Sequence, residues 1–506
     1  MPGVDSRPSR ELYVVLVLLT AGSAVLGFIR ETKIAQFFGA ASSTDAYYAA
    51  LAIPFGAAYF LVGGALSPPL TSSIAALLEK RNQEGARRLL SRMLRNVLLT
   101  GGLLALAIAA FARPVARILS PGFSEETLLM MARLLPILLA YGVLTSAALV
   151  GTAALTAAGA YRTPVVALFL GNLVSISLIA AFHGRLGIFS AAWGMTAGSV
   201  VTLAGVLAGL RNARLLGPAE ESIPLVSFPW FEIGTLTVAL AAAYGIDLAE
   251  KNFASSAAPG SVAILSWGGK LIHLPMRLIA APLASVAFPR LVRGRTRADT
   301  GSNREAGETA SWTIRILAYS AVVTAAAAAP IVAITFGHGR LDESSSKLLA
   351  SVLMTLAPAV VALGIVEIAS KYLLAAGRAR QVAVAQLAAL GVYIGAAAIL
   401  RPLGAPGLAA ARDAAWCTAA IGLAYPLVRH EKLPLFPEWR RTLIAVVAAA
   451  ASSVAALSLA PGGPFVCATA AAAAAAASYF AILRHGRPVP PETAPADQGA
   501  KTSDRP

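Results

Sequence analysis

The 506-residue sequence has little charge and very few cysteines. Charged residues make up only 13% of the chain, hydrophobic residues make up 57%, and the mean hydropathy is +0.70. A soluble domain needs more charged surface than this, so the composition excludes an ordinary soluble protein. Cys417 and Cys467 both lie in apolar segments and therefore indicate neither a disulfide nor a metal site.

Motifs for catalysis and ATP hydrolysis are also missing from the sequence. The phosphate-binding pattern G-x-x-x-x-G-K-[ST] does not occur, nor do G-x-S-x-G and H-E-x-x-H. The histidines are scattered and lack the spacing of metal ligands: His183, His273, His338, His430 and His485. We therefore expect a protein that is not an enzyme and that holds no cofactor and no metal.

Long apolar runs are what the sequence has in abundance, for example at residues 11–29, 96–112, 165–182 and 442–460. About twenty apolar residues cross the hydrocarbon core of a bilayer, where backbone polar groups must be satisfied within the segment. The runs do not alternate apolar and polar residues, so they predict helices rather than barrel strands. The expected fold class is an all-α polytopic membrane protein with about fourteen transmembrane helices.

The predicted spans divide the chain into four parts. The spans are placed at 12–38, 45–77, 94–112, 128–158, 164–183, 187–210, 230–255, 260–289, 311–336, 347–376, 380–400, 406–428, 440–460 and 464–483. Residues 1–215 are predicted to form an N-terminal six-helix lobe, 216–435 a C-terminal six-helix lobe, and 436–485 two additional helices. Residues 486–506 are rich in proline, alanine and charge and predict a disordered cytoplasmic tail.

An internal repeat supports the division into two lobes. The second span contains PFGAAYFLVGGALSP (54–68), and the eighth contains PMRLIAAPLASVAFP (275–289), with the same proline spacing. The copies lie an even number of predicted helices apart, which indicates a parallel repeat with a pseudo-symmetry axis along the membrane normal. Proline and glycine breaks within such spans are typical of helices that line a cavity.

The net charge of +16 is explained by membrane topology. If the N-terminus is cytoplasmic, the cytoplasmic loops hold several times more Lys and Arg than the opposite loops. This imbalance predicts a multi-pass protein of the bacterial cytoplasmic (inner) membrane with both termini in the cytoplasm. The basic stretch 79–95 predicts an amphipathic helix on anionic membrane lipids, and nucleic acid is not an expected partner.

Charged residues inside predicted spans are the candidates for function, because an unpaired charge in a bilayer costs several kcal/mol. Arg30 and Lys270 occupy comparable places in the two lobes and suit an anionic substrate such as a diphosphate. Asp45 is grouped with these substrate-binding candidates, although pairing with a cation or capping a helix is the favoured role for it. Asp247 and Glu250 are the candidates for ion coupling.

Two other charged pairs have a simpler structural interpretation. Glu367 and Lys371 have the i, i+4 spacing of a local ion pair on one helix face. Arg412 and Asp413 are interpreted as structural or as lying near an interface. For Arg30 and Lys270, substrate contact and structural pairing both remain open from the residues alone.

Several segments resemble the MurJ/MviN family of lipid II flippases. The residues that carry the resemblance are LGFIRETKIAQFFGAASSTDAYYAALAIP (26–54), GTAALTAAGAYRTPVVALFLGN (151–172), FASSAAPGSVAILSWGGKLIHLP (253–275) and GAPGLAAA (404–411). The resemblance implies a central cationic cavity open to one side at a time. It also implies transfer of undecaprenyl-diphosphate-linked peptidoglycan precursor to the outer leaflet, with this polyprenyl diphosphate glycan as the partner.

The resemblance also assigns roles to single positions. Arg30 matches a family arginine needed for activity, Asp45 matches the aspartate of the TDA motif, and Lys270 lies where the family usually carries a cavity arginine. Ser23 matches the family as well. The sequence departs from the family at neighbouring cavity positions, where Ala24, Phe55, Ala58 and Gly63 replace residues that are arginine, asparagine, arginine and glutamate in many members.

Four functions follow as hypotheses. The first is a lipid II flippase-like transporter that works by alternating access, and the second is a flippase for another polyprenyl-linked oligosaccharide of the exopolysaccharide or O-antigen type. The third is a multidrug/cation antiporter, which acidic residues in the cavity would favour. The fourth is a non-transporting scaffold that recruits cell-wall synthesis enzymes.

Overall fold

A computed structural model describes residues 10–217, 230–276, 300–429, 439–459 and 463–484. Within these ranges the chain is helical and contains no β-strand, which confirms the predicted all-α fold class. Three predicted features lie outside the described residues: the end of the eighth span (277–289), most of the basic loop after it, and the tail (486–506).

The first half of the chain forms eight of the described helices. They are α1 (Arg10–Phe38), α2 (Ser42–Gly56), α3 (Ser67–Glu79), α4 (Gln83–Ala110), α5 (Ala112–Leu119), α6 (Glu125–Ala157), α7 (Arg162–Leu186) and α8 (Phe189–Asn212). A π-helical segment, Ala57–Leu66, joins α2 to α3 without a turn between them.

The second half continues in the same manner. Its described helices are α9 (Trp230–Ala254), α10 (Ser261–Pro275), α11 (Thr300–Ala326), α12 (Ala328–Thr335), α13 (Glu343–Leu356), α14 (Ala359–Ala375), α15 (Ala379–Leu400) and α16 (Gly404–Arg429). The last two are α17 (Trp439–Leu459) and α18 (Pro464–Arg484). Each predicted span overlaps at least one described helix.

Eight continuous helical stretches among the described residues are long and apolar enough to cross a membrane, or ten if each bent helix pair is one span. Two of the eight combine several elements: Ser42–Glu79 contains α2, the π-helical segment and α3, and Ala379–Arg429 contains α15 and α16. The bent pairs are α11 with α12, at 76°, and α13 with α14, at 47°. The total of fourteen spans and the division into lobes at residue 215 remain predictions.

The π-helical segment is the irregular part of the predicted second span. Pro54 removes one backbone donor from α2, and Gly63 and Gly64 lie inside the segment. A Cβ on Gly64 would lie 2.6 Å from Leu240 Cδ1, so glycine lets α9 approach closely. π-Helical irregularities often occur at functional sites, and this one lies where the two halves of the chain meet.

Small residues allow a close helix contact within the first half. Gly171 on α7 faces Gly198 on α8, and a Cβ on either glycine would lie 2.5 Å from the carbonyl oxygen of the other. Such close backbone approach is typical of membrane bundles, where packing and interhelical hydrogen bonds drive association.

In the second half, α17 and α18 pack together and against α11, where Tyr479 donates a hydrogen bond to the Arg315 carbonyl at 2.6 Å.

Candidate binding site between the two halves of the chain

A buried glutamate joins the two cations that the sequence singles out. Glu31, on α1, is 5% exposed. Its Oε1 lies 3.1 Å from Arg30 Nη2, and its Oε2 forms an ion pair with Lys270 Nζ. Lys270 is on α10, so the ion pair links the first half of the chain to the second. We call Arg30, Glu31 and Lys270 the central cluster.

Two aromatic side chains hold the glutamate and the lysine in place. Tyr48 donates a hydrogen bond to Glu31 Oε2 at 2.7 Å and accepts one from Trp267 Nε1 at 2.6 Å. Lys270 Nζ also lies 4.4 Å from the centroid of the Tyr48 ring, within the range of a cation–π contact. Because Trp267 and Tyr48 are both buried, the carboxylate between the cations is fixed in position.

The cations of the central cluster keep some capacity to bind another anion. The side chains of Arg30 and Lys270 are 18% and 36% exposed, respectively. Arg30 Nη1 donates to Asn172 Oδ1 at 3.4 Å, and Arg30 Nε has no hydrogen-bond partner among the described residues. Asn172 in turn donates to Ser23 Oγ at 3.0 Å, which orients the amide toward the arginine. Guanidinium and ammonium groups bind carboxylates and phosphates alike.

Asp45 caps a helix of the other half. Its Oδ2 accepts a hydrogen bond from the Gly260 amide at 2.6 Å, and its Oδ1 accepts one from the Ala263 amide at 2.8 Å. These amides lie at the N-terminus of α10, where backbone donors lack intrahelical partners and the helix dipole favours a negative charge. The capping role considered for Asp45 is therefore present, but on α10 rather than on its own helix. Its grouping with substrate-binding residues remains a prediction.

The same end of the bundle carries further contacts between the halves, and we call it the closed face. It consists of the turns at 39–41, 120–124, 255–260 and 337–342. Besides Asp45, the hydrogen bonds across it are Arg340 N to Gln36 O, Gly122 N to Ser255 Oγ, and Asn252 Nδ2 to Ile118 O, each 3.0 Å long. These contacts hold the two halves together at this end of the central cluster.

The two candidates for ion coupling belong to a second cluster of charges. Glu250 is fully buried, and both of its oxygens accept hydrogen bonds from Arg412 Nη1 at 3.0 Å. Lys251 Nζ lies 3.1 Å from Glu250 and 3.4 Å from Asp247, and Arg412 Nη2 lies 3.6 Å from Asp247. Two carboxylates are thus balanced by two cations. We call these four residues the second cluster.

A glycine makes room for the arginine of the second cluster. A Cβ on Gly269 of α10 would lie 3.1 Å from Arg412 Nη1, so glycine makes room for the guanidinium. Asp413, the next residue, is not part of the cluster, and its Oδ1 is buried without a hydrogen-bond partner in the described part of the chain. The predicted Glu367–Lys371 ion pair is confirmed, at 2.7 Å.

Three residues in and around the central cluster are not among the candidates drawn from the sequence. Glu31 is one of them, yet it lies between the two cations. Tyr48 and Trp267, which orient it, gave no signal in the sequence. A carboxylate next to an arginine inside a span does require a partner, and that rule alone could have drawn attention to Glu31.

The fold and its internal charge clusters define a multi-pass helical membrane protein. A family model described as lipid II flippase MurJ matches residues 34–461. Because this match covers most of the chain, the protein belongs to the lipid II flippase MurJ family. It is accordingly a multi-pass protein of the inner membrane and a transporter by class.

Curated relatives are distant in sequence. The chain is 24% identical to the lipid II flippase MurJ of Burkholderia cenocepacia over 68% of this chain and 69% of that protein. It is 26% identical to the probable lipid II flippase MurJ of Rhizobium meliloti over 66% of this chain and 64% of that protein.

Solved structures share the fold. A lipid II flippase MurJ in an inward closed conformation matches with a TM-score of 0.76 and 17% identity, over 93% of this chain and 98% of that chain. An inward-facing multidrug resistance MATE family transporter of the MOP superfamily matches with a TM-score of 0.65 and 18% identity, over 83% and 98% of the two chains.

Proposed function

We propose that this protein moves lipid II, the undecaprenyl-diphosphate-linked peptidoglycan precursor, from the inner to the outer leaflet by alternating access. The observation that carries the proposal is the central cluster, in which Arg30 and Lys270 come from different halves and meet at Glu31. Family membership supports the same cargo. The peptidoglycan precursor is the lipid-linked partner, and cell-wall synthesis enzymes are candidate protein partners.

Substrate binding begins with an exchange of anions. The diphosphate enters between the halves and takes the place of Glu31 on Arg30 and Lys270, because a diphosphate offers more negative charge and more acceptor oxygens than one carboxylate. The polyprenyl tail stays in the bilayer, where its apolar surface costs nothing to expose.

The same exchange provides a reason for the halves to move. Glu31 is the group that ties Lys270 to α1, so its release from the lysine loosens one contact between the halves. The closed face then opens as the hydrogen bonds of Asp45 to α10 break. With both termini in the cytoplasm, as the loop charges predict, the closed face is on the outer side of the membrane and its opening releases the substrate there.

Ion coupling is proposed for the second cluster. Asp247 is the more accessible of its two carboxylates, with a side chain 28% exposed, whereas Glu250 is buried against Arg412. A sodium ion or a proton would therefore bind at Asp247 and release Lys251 from it. This release is the step by which an ion gradient would act on α9 and α16.

The test is rescue of bacterial cells depleted of their own flippase. The wild-type protein should restore growth and the exposure of lipid II on the outer leaflet, and Arg30→Ala should abolish both at a normal protein level. Arg185→Ala is the matched control, because that arginine is exposed at the end of α7 and should rescue fully. Full rescue by Arg30→Ala would contradict the role of Arg30. Failure of the wild type, together with loss of a surface glycan on deletion of the gene, would assign another polyprenyl-linked oligosaccharide instead.

A further inference from the structure

Two aromatic rings lie at the junction of α2 and the π-helical segment. The centroids of Phe55 and Tyr59 are 4.6 Å apart, and the ring planes are inclined by 32°. Tyr59 is 38% exposed, although a tyrosine inside a bundle usually buries its ring. The pair therefore presents an aromatic face that no residue in the described part of the chain covers completely.

The aromatic pair lies on the same helix face as Tyr48, the tyrosine that donates its hydroxyl to Glu31. Phe55 follows Tyr48 by seven residues along α2, which is about two helical turns, so the two side chains project from one face. Phe55 packs against the same hydrophobic core as Tyr48, and the Tyr59 ring lies against Phe55. The pair thus extends the face of α2 that contacts the central cluster.

The contact with Phe55 also restricts the exposed ring. A tyrosine ring that is held along its side by a neighbouring ring has lost part of its rotamer freedom before any ligand binds. A ligand that stacks on such a ring does not have to order it, so little affinity is lost to ordering of the side chain.

We infer that Phe55 and Tyr59 form a stacking platform for a sugar ring of the transported glycan. The inference rests on the proposed function and adds a second recognition element to it. One face of a pyranose carries C–H bonds with partial positive charge, which suits the negative face of an aromatic ring. The sugar is joined directly to the diphosphate, so a site beside Arg30 is where its ring must lie when the diphosphate is bound there.

The polyprenyl chain is the other apolar group that such a platform could bind. The chain leaves the diphosphate on the side opposite the sugar and is soluble in the surrounding lipid, so it gains little from an aromatic face inside the bundle. A ligand without its sugar separates these two sources of contact, because it keeps both the diphosphate and the chain.

The experiment measures the binding of two ligands to the full-length protein in nanodiscs. One ligand is an undecaprenyl diphosphate that bears its saccharide, and the other is undecaprenyl diphosphate alone. Tyr59→Leu keeps an apolar side chain but loses the aromatic face, and it should weaken binding of the glycan-bearing ligand about fivefold. Binding of the sugar-free ligand should not change. Tyr59→Phe keeps the ring and should bind the glycan-bearing ligand more tightly than Tyr59→Leu.

The outcomes separate the platform from the proposed function. Equal weakening of both ligands by Tyr59→Leu, or no weakening at all, would overturn the platform and leave the proposed function standing. Failure of the wild-type protein to bind either ligand would overturn both. Tyr425→Leu is the matched control, because Tyr425 is 57% exposed on α16, and it should leave both affinities unchanged. A thermal unfolding midpoint equal to that of the wild type shows that each variant is folded.

Discussion

The carboxylate of Asp45 accepts a hydrogen bond from the backbone amide of Gly260, at 2.6 Å and across 215 residues of sequence. The contact joins the start of α2 to the start of α10, so it links the first half of the chain to the second at the closed face. A helix cap ordinarily stabilises its own helix. Here the cap also serves as a connection between the halves, and it must break if the closed face opens.

Removal of this cap should therefore affect both stability and accessibility. Asp45→Ala is expected to lower the free energy of unfolding by about 1–2 kcal/mol, as measured for other lost helix caps. It should also increase the reaction of a cysteine introduced at Ala40 with a membrane-impermeant maleimide, in a background where Cys417 and Cys467 are serine.

The control for this prediction is Asn82→Ala. Asn82 caps α4 by accepting a hydrogen bond from the Gly85 amide at 2.7 Å, and it lies outside the closed face. Its loss should leave the labelling rate at position 40 unchanged. If Asn82→Ala and Asp45→Ala raised that rate equally, Asp45 would have no special role in closing this face.

In the central cluster, the effects of Glu31 and Lys270 on the stability of the protein should depend on each other. Glu31→Gln leaves two cations near each other without a shared anion and should destabilise the protein by roughly 2 kcal/mol, the size of a lost charge-assisted hydrogen bond. Addition of Lys270→Met removes the repulsion and should restore most of the thermal unfolding midpoint. Rescue of flippase-depleted cells should not return, since the double variant lacks a substrate-binding cation.

Lys270→Arg is the charge-conserving comparison and should retain rescue. Simple additivity of the Glu31→Gln and Lys270→Met effects on unfolding would mean that the two residues do not interact energetically. That result would argue against the central cluster as a link between the halves.

The second cluster predicts a large loss of stability when its arginine is removed. Arg412→Met leaves the two carboxylates of the second cluster, Glu250 and Asp247, with one cation, Lys251. An uncompensated buried charge costs about 3–5 kcal/mol. This loss is measured by thermal unfolding of the purified protein, with size-exclusion chromatography as the readout of the fraction that stays folded. Lys371→Met is the control in the same half, because the Glu367–Lys371 pair is about a third exposed and such pairs contribute only about 0–1 kcal/mol. Similar losses from the two variants would contradict the buried, structural role of Arg412.

One additional methyl group in the contact between α7 and α8 should lower the free energy of unfolding. Gly171→Ala would place a Cβ 2.5 Å from the backbone oxygen of Gly198, which cannot move without moving α8. Overpacking of this kind costs about 1–3 kcal/mol and outweighs the gain of up to about 1 kcal/mol from replacing glycine in a helix. Gly102→Ala on α4 meets nothing within 4 Å and should be neutral or stabilising in the same unfolding measurement. A neutral Gly171→Ala would show that α7 and α8 are less tightly packed than described.

The positions of the helices could be predicted from the sequence because each span is a local property. A run of about twenty apolar residues must form a helix in lipid, whatever surrounds it. The Glu367–Lys371 pair was predictable for the same reason, since residues four apart on a helix are neighbours. The bends between α11 and α12 and between α13 and α14 were not predicted, because they depend on how each half packs.

The sequence by itself determined that this protein is a helical membrane protein, where its helices lie, and which charges are too costly to leave unpaired in a bilayer. The tertiary structure decided which of those charges meet. Lys270 reaches Glu31 across 239 residues, and Arg412 reaches Glu250 across 162. Contacts between residues so far apart in the sequence depend on which faces of α1, α10 and α16 turn toward one another. The hydrophobic pattern of each of these helices is too uniform to specify a face.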